Sequence, residues 1–377
     1  MNKSLKLAAV LGTVGLAAAA CGSKPVTSSS NNNSSSTTAT AAAFKACLVT
    51  DTGGLDDHSF NELSWEGMQE AQKAGGGSIT VQNAQSATSN DFAGNISGFV
   101  SAGCKIIVGA GYDLQTALVQ SAVKNTTQHY AVVDNTSVGN QVQGLQFDTA
   151  QAAFLGGYFA AGMTKTGKVA TFGGADYPTV AVYMDGFWEG VQYYNQQHNT
   201  KVQVLGWSEK SQKGTFDPTQ SFTDQSGGEQ IAENFEAQGA DIVFPVAGGT
   251  GIGALAAAQA SNGKLNAIWV DNDGYYSNSQ YADVIMTSVT KGIDAAVSTE
   301  VQQAAKGDFS TNSYIGTLAN GGTALAPYHD WSSKVPAALT TELATVKQAI
   351  ISGTIKITSP NQPTTTKSTV QQVLSGS

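Results

Sequence analysis

The chain has 377 residues, of which 12% are charged, with 19 Lys and Arg against 28 Asp and Glu and a formal net charge of -9. So acidic and charge-poor a body offers no basic stripe for a nucleic-acid backbone, which argues against that class of partner. Three cysteines and four histidines without close spacing give no metal-ligand pattern.

Lys3 and Lys6 give a positive head, residues 5–20 are apolar and end in four alanines, and Cys21 with Gly22 follows at once. This reads as a signal peptide over residues 1–21 that ends at a lipidated cysteine. The apolar run is shorter than the roughly 20 residues that span a bilayer, which favours cleavage over a retained anchor. Ala18 stands where lipoprotein signals usually carry Leu, so an uncleaved anchor or a non-lipidated secreted form stays open. Residues 22–43 are Ser, Thr and Asn almost without large apolar groups and read as a disordered tether. Residues 358–377 are similarly polar and read as a tail, leaving about 310 residues for two domains.

The most informative stretch is FKACLVTDTGGLDDHSFNELSWEG, residues 44–67. An apolar strand ends at Asp51, is broken by Gly53 and Gly54, and gives way to Ser59-x-x-Glu62, a capping-box pattern that starts a helix. In an open α/β sheet, ligands bind outside the carboxyl ends of the strands. That puts Asp51, Asp56, Asp57, Phe60 and Asn61 on a binding lip.

Further strands are expected at 78–82, 105–109, 129–133, 144–147, 168–172, 201–206, 241–246, 266–270 and 284–288, several of them continuous apolar runs suited to a doubly buried parallel sheet. Helical patterns lie between them, as at 59–74, 150–163 and 252–261. The alternation predicts doubly wound α/β. Cys47 and Cys104 sit on or beside strands that such a sheet can make neighbours, and export to an oxidising compartment allows a disulfide; two buried free thiols are the alternative.

Residues 249–254, GTGIGA, satisfy the G-x-G-x-x-[GA] dinucleotide fingerprint, follow a strand, and are trailed by Asp271 about 20 residues on. An exported dinucleotide-dependent oxidoreductase is therefore one reading. Against it stand the abundance of glycine, 42 residues, and the scarcity of such cofactors outside the cell. A tight turn whose N–H groups meet another ligand fits the same residues.

Taken in order, DTGGLDDHSFN at 51–61, WEG at 65–67, GFWEG at 186–190, GADIVF at 239–244 with GGTG at 248–251, and WVDND at 269–273 with SVTK at 288–291 resemble the basic membrane protein family. These are lipoproteins similar to the purine nucleoside receptor of bacterial ABC importers. The resemblance runs from about residue 44 to 300. It implies a non-enzymatic, lipid-anchored receptor with no cofactor, working on the extracytoplasmic face of the membrane. Its partners are an ABC permease and ATPase, and its expected state is a monomer. The implied fold is that of type I periplasmic binding proteins, two Rossmann-like lobes joined by three crossing segments. Residues 44–148 with 274–318 would form the N-terminal lobe, and 149–273 with 319–357 the C-terminal one.

The resemblance also implies a site. Phe60 would stack on one face of a base and Tyr183, where the family commonly has Phe, on the other. Asp134 would accept from the base edge, with Asp51 and Asn61 as polar groups at the lip. Asp271, Gly248 and Lys291 would hold sugar hydroxyls, with Asp273 as the alternative to Asp271. Tyr183, and Glu62 where the family often has Gln, leave a sugar or signalling molecule open as ligand.

Overall fold

The computed structural model describes residues 43–376. The signal peptide, Cys21 and residues 22–42 of the tether lie outside them. The strands are β1 (Phe44–Thr50), β2 (Ile79–Ala84), β3 (Ile106–Ala110), β4 (His129–Val133), β5 (Val142–Phe147), β6 (Lys168–Gly173), β7 (Gln203–Leu205), β8 (Trp207–Ser208), β9 (Lys213–Gly214), β10 (Ile242–Val246), β11 (Asn266–Asp271), β12 (Ile285–Lys291), β13 (Tyr314–Gly316) and β14 (Thr323–Leu325). The α-helices are α1 (Phe60–Ala74), α2 (Asp91–Ser101), α3 (Leu114–Lys124), α4 (Thr149–Met163), α5 (Pro178–His198), α6 (Gln225–Ala237), α7 (Gly249–Ala260), α8 (Gly274–Ser277), α9 (Ile293–Ala305), α10 (Ala337–Ile351) and α11 (Val370–Ser375).

Two six-stranded sheets organise these elements, in the orders β13-β5-β4-β3-β1-β2 and β14-β12-β11-β10-β6-β7. All pairings within them are parallel except β12 with β14. Strands such as β3 (IIVGA) are buried along their whole length because helices cover both faces. In the first lobe α1 and α9 pack on one face and α2 and α3 on the other. In the second lobe α4, α5 and α10 take one face and α6 and α7 the other. This is the type I periplasmic-binding-protein fold. Cys47 on β1 and Cys104 just before β3 are joined as a disulfide, with Cα atoms 6.0 Å apart.

The glycines of GFWEG serve packing. A Cβ on Gly186 would lie 2.3 Å from the Ala150 carbonyl oxygen and one on Gly190 2.0 Å from that of Phe154, so α5 can approach α4 closely only with glycine there.

The chain passes between lobes at Asp148, at Gly292 and between β13 and β14. One expected boundary is corrected. Residues 274–291 belong with the second lobe, because β12 pairs with β11 through five residues and lies in the second sheet; the crossing comes at Gly292. The tail is corrected too. Residues 358–376 are laid along both lobes and end in α11, whose Val373 packs on the α2–α3 core.

Candidate ligand site between the lobes

The carboxyl ends of β1, β4, β10 and β11 and the end of β12 converge on a cavity of about 230 Å³, lined from both lobes. Asp51, Phe60, Asn61, Asp134, Tyr183, Gly248, Asp271 and Lys291 all line it. Asp273 does not: its carboxylate caps α8 at the Tyr275 N–H and meets His329 Nε2 at 2.7 Å.

One group of lining residues is a set of acceptors. Asp57, the true cap of α1, accepts from the N–H groups of Ser59, Asn61 and Glu62 at 3.1, 2.8 and 3.1 Å. The Ser59 side chain makes no cap bond, so the expected Ser59–Glu62 box is not formed. Asn61 Nδ2 donates to Asp51 Oδ1 at 2.7 Å and to Asp57 Oδ2 at 3.1 Å, which fixes the orientation of the amide. Asn61 Oδ1 is then a buried acceptor without a partner among the described residues. Asp51 Oδ1 also takes the Gly53 N–H at 2.9 Å. Burial pushes the Asp51 carboxyl up to about 6, against the lowering effect of its bonds to Gly53 and Asn61. Burial raises the Asp57 carboxyl as well, over the three backbone N–H groups that oppose it.

In a second group, Lys291 Nζ meets Asp134 Oδ2 at 2.5 Å, with both side chains buried. The ammonium also faces the rings of Phe60, Phe147 and Tyr183 at 4.9, 5.3 and 5.7 Å from their centroids, so its charge is met by π-faces as well as a carboxylate. Burial raises the Asp134 carboxyl, Lys291 lowers it, and neighbouring Asp271 raises it. Asp271 accepts the Tyr183 hydroxyl at 2.6 Å and the Ser59 hydroxyl at 2.8 Å. The buried Tyr183 hydroxyl is raised well above its ordinary value, first by burial and then by that carboxylate.

The rim carries residues that the sequence did not single out. The Tyr177 hydroxyl of the second lobe donates to Asp113 Oδ2 of the first at 2.6 Å, and its ring stacks on Tyr112 at 5.2 Å. Tyr112 and Asp113 follow β3, so the rule that ligands sit beyond strand ends was the signal that could have found them. Tyr177 lies in the loop after β6 and Ser59 in the loop after β1, so the same rule reaches their positions but not their partners in the opposite lobe.

The fingerprint glycines of residues 249–254 hold a different role from the one a dinucleotide needs. A Cβ on Gly253 would lie 1.8 Å from the Gln225 carbonyl oxygen of α6, and the Thr250 N–H is taken by the Phe222 carbonyl at 3.0 Å. The turn follows β10, well after the opening strand of its lobe. Close packing accounts for these glycines: Gly253 against α6, Gly249 against the Phe222 carbonyl, and Gly251 against Trp269 and Pro245 of the sheet.

A two-lobed α/β body with a polar, aromatic-lined cleft defines a solute-binding protein. Residues 44–360 match the family model for the ABC transporter substrate-binding protein PnrA-like family, and the chain belongs to that family of non-enzymatic receptors. It is 31% identical over 336 residues, 85% of this chain and 89% of the relative, to the CD4+ T-cell-stimulating antigen of Listeria monocytogenes. It is 28% identical over 336 residues, 84% of this chain and 89% of the relative, to the ABC transporter nucleoside-binding protein BmpA of Lactococcus lactis. The crystal structure of an ABC transporter solute-binding protein from Aeropyrum pernix superposes with a TM-score of 0.74 at 24% identity, covering 84% of this chain and 94% of that one.

Proposed function

We propose that this substrate-binding component is held at the extracytoplasmic membrane face through lipid on Cys21 and binds a nucleoside, purines above pyrimidines, for delivery to its permease. The observation that carries the reading is a cleft lined by two chemically different groups of residues. Asp51 and the fixed Asn61 Oδ1 are acceptors, suited to the N–H groups of a base edge. Asp134, Lys291 and Asp271 supply acceptors and a donor together, suited to vicinal sugar hydroxyls. In this reading Asp134 joins the sugar set, whereas the family resemblance implied the base edge for it. Phe60 and Tyr183 add aromatic faces to the same lining, beside the Lys291 ammonium. The nucleoside-binding relative from Lactococcus supports the same ligand class.

Ligand contacts from both lobes favour the closed form, and closure is stabilised only by the difference in affinity between the two conformations. Calorimetric titration of ligand-stripped protein with guanosine, adenosine, inosine, cytidine, uridine and ribose tests the reading. Saturable binding of purine nucleosides and not of ribose is expected; binding of ribose alone would overturn the nucleoside assignment.

A further inference from the structure

The family match ends at residue 360, yet the chain runs on to residue 376 along a defined path. After α10 it first follows the second lobe. Ser359 Oγ and Asn361 Nδ2 donate to Asp185 Oδ2 at 2.5 and 3.1 Å, and Asn361 Nδ2 also donates to Gln212 Oε1 at 2.6 Å. Asp185 is fully buried on α5, and its other oxygen accepts Trp207 Nε1 and Gln212 Nε2 at 2.9 and 2.8 Å. This anchor is held by four donor groups.

Pro363 then carries the chain to the first lobe. There Thr364 exchanges two hydrogen bonds with the side chain of Gln146 on β5, at 2.8 and 3.1 Å. The Ser368 N–H donates to the Ser137 carbonyl at 2.9 Å, and the hydroxyls of Thr136 and Ser368 meet at 2.7 Å. A capping box of Thr369 and Gln372 starts α11, which sets Val373 on the α2–α3 core.

Three residue steps separate Asn361 from Thr364, a span that cannot exceed about 11 Å when fully extended. Pro363 stiffens it further by fixing φ. Any opening that would pull Asn361 and Thr364 further apart than that must break one anchor. The segment also walls a cavity of about 630 Å³ that shares Tyr112, Asp113, Asp134, Thr179 and Lys291 with the ligand cavity. It therefore lies across a flank of the same cleft.

We propose that residues 359–376 form a fourth connection between the lobes, a strap that limits how far they part and so slows ligand exchange. The test compares the full chain with a chain ending at Gln362 and with a full-length Gln146→Ala/Ser368→Ala variant, which keeps the segment but removes three of its bonds to the first lobe. Small-angle X-ray scattering of the ligand-free proteins reads opening, and stopped-flow displacement of bound guanosine reads exchange. Both variants are expected to scatter with a larger radius of gyration and to release guanosine at least tenfold faster. Unchanged scattering in both variants would overturn the strap. The scattering comparison needs no ligand, so a protein that binds none of the nucleosides overturns the nucleoside reading while opening alone still decides the strap.

Discussion

Asp134 and Asp271 occupy equivalent places in the two lobes: each follows or ends the third strand from the edge that closes its sheet, and each has a left-handed backbone, with φ of 68° and 67°. Each also reaches a group of the opposite lobe, Asp134 the ammonium of Lys291 and Asp271 the hydroxyl of Ser59. Non-glycine residues held at positive φ store strain of order 1–3 kcal/mol and concentrate at binding sites, where the surrounding structure holds them. Here the strain aims two carboxylates across the cleft. The two bonds form a reciprocal latch for the closed state.

The Asp134–Lys291 half of that latch is a buried ion pair, so removing one partner leaves a bare charge. Lys291→Met is expected to destabilise the protein by about 3–5 kcal/mol, and Asp134→Asn/Lys291→Met together by clearly less. Urea unfolding of the single and double variants checks this. Additive losses would show that the two side chains are not energetically coupled.

Ser59→Ala tests the other half. The Ser59 hydroxyl donates nothing to the cap of α1, which Asp57 provides, so the substitution is expected to leave the helix start intact and to cost about 1–3 kcal/mol through the buried Asp271 carboxylate that loses a donor. Ligand release should also quicken, because the Asp271 bond across the cleft is lost. A lower melting temperature with unchanged release would remove this bond from the latch.

Phe60→Ala is expected to weaken nucleoside binding by about 1–3 kcal/mol if the ring stacks on a base. Phe60 is only partly buried, on the first turn of α1, so the fold should survive. Calorimetry and a thermal melt of the same preparation separate the two effects. Loss of melting temperature with full affinity retained would count Phe60 as core.

Asp51 sets opposite pH trends for binding and stability. Its carboxyl is raised from 3.8 to about 6, and the ionised form is the better acceptor for a ligand N–H, so affinity should fall as pH drops through about 6. Stability runs the other way: the contribution of a raised carboxyl is present below 3.8 and is lost as pH rises through about 6. Asp51→Asn should flatten both curves over that range. An affinity profile that the substitution leaves unchanged would remove Asp51 from ligand contact.

How much of this was legible in the sequence depends on whether the cause is local. The nine strands of five to seven residues announce themselves as apolar runs between turn signals, whereas β13 and β14 are three residues each and owe their existence to β5 and β12. Composition makes residues 358–376 look structureless. They are ordered by Asp185, Gln146 and Ser137, which lie more than 170 positions earlier. Ser59 at the start of a helix reads as a cap, but the donor–acceptor choice is made by Asp57 nearby and Asp271 on the far lobe. Asp51 was placed on the cleft by the rule that strand ends position ligands, whereas Asp134 and Asp271 came from the family resemblance. Tyr177 was missed because its meaning comes only from Asp113 across the cleft.

Glu300 gives a last prediction, remote from the cleft. It lies on α9, 2% exposed, and burial raises its carboxyl from 4.5 to about 7 against the lowering bond from Gln143, with Asp308 adding a smaller push. Its Oε1 has no partner among the described residues. A carboxyl raised in the folded state stabilises below its unfolded value and loses that contribution as pH rises through its folded one. Stability should therefore decline between pH 4.5 and about 7, by about 3 kcal/mol from this group alone. Glu300→Gln keeps the shape and stays neutral, so urea midpoints of the variant should be flatter across that window and higher than wild type at alkaline pH. Parallel curves for the two proteins would mean that Glu300 ionises in the folded chain without cost and that its burial is relieved by solvent.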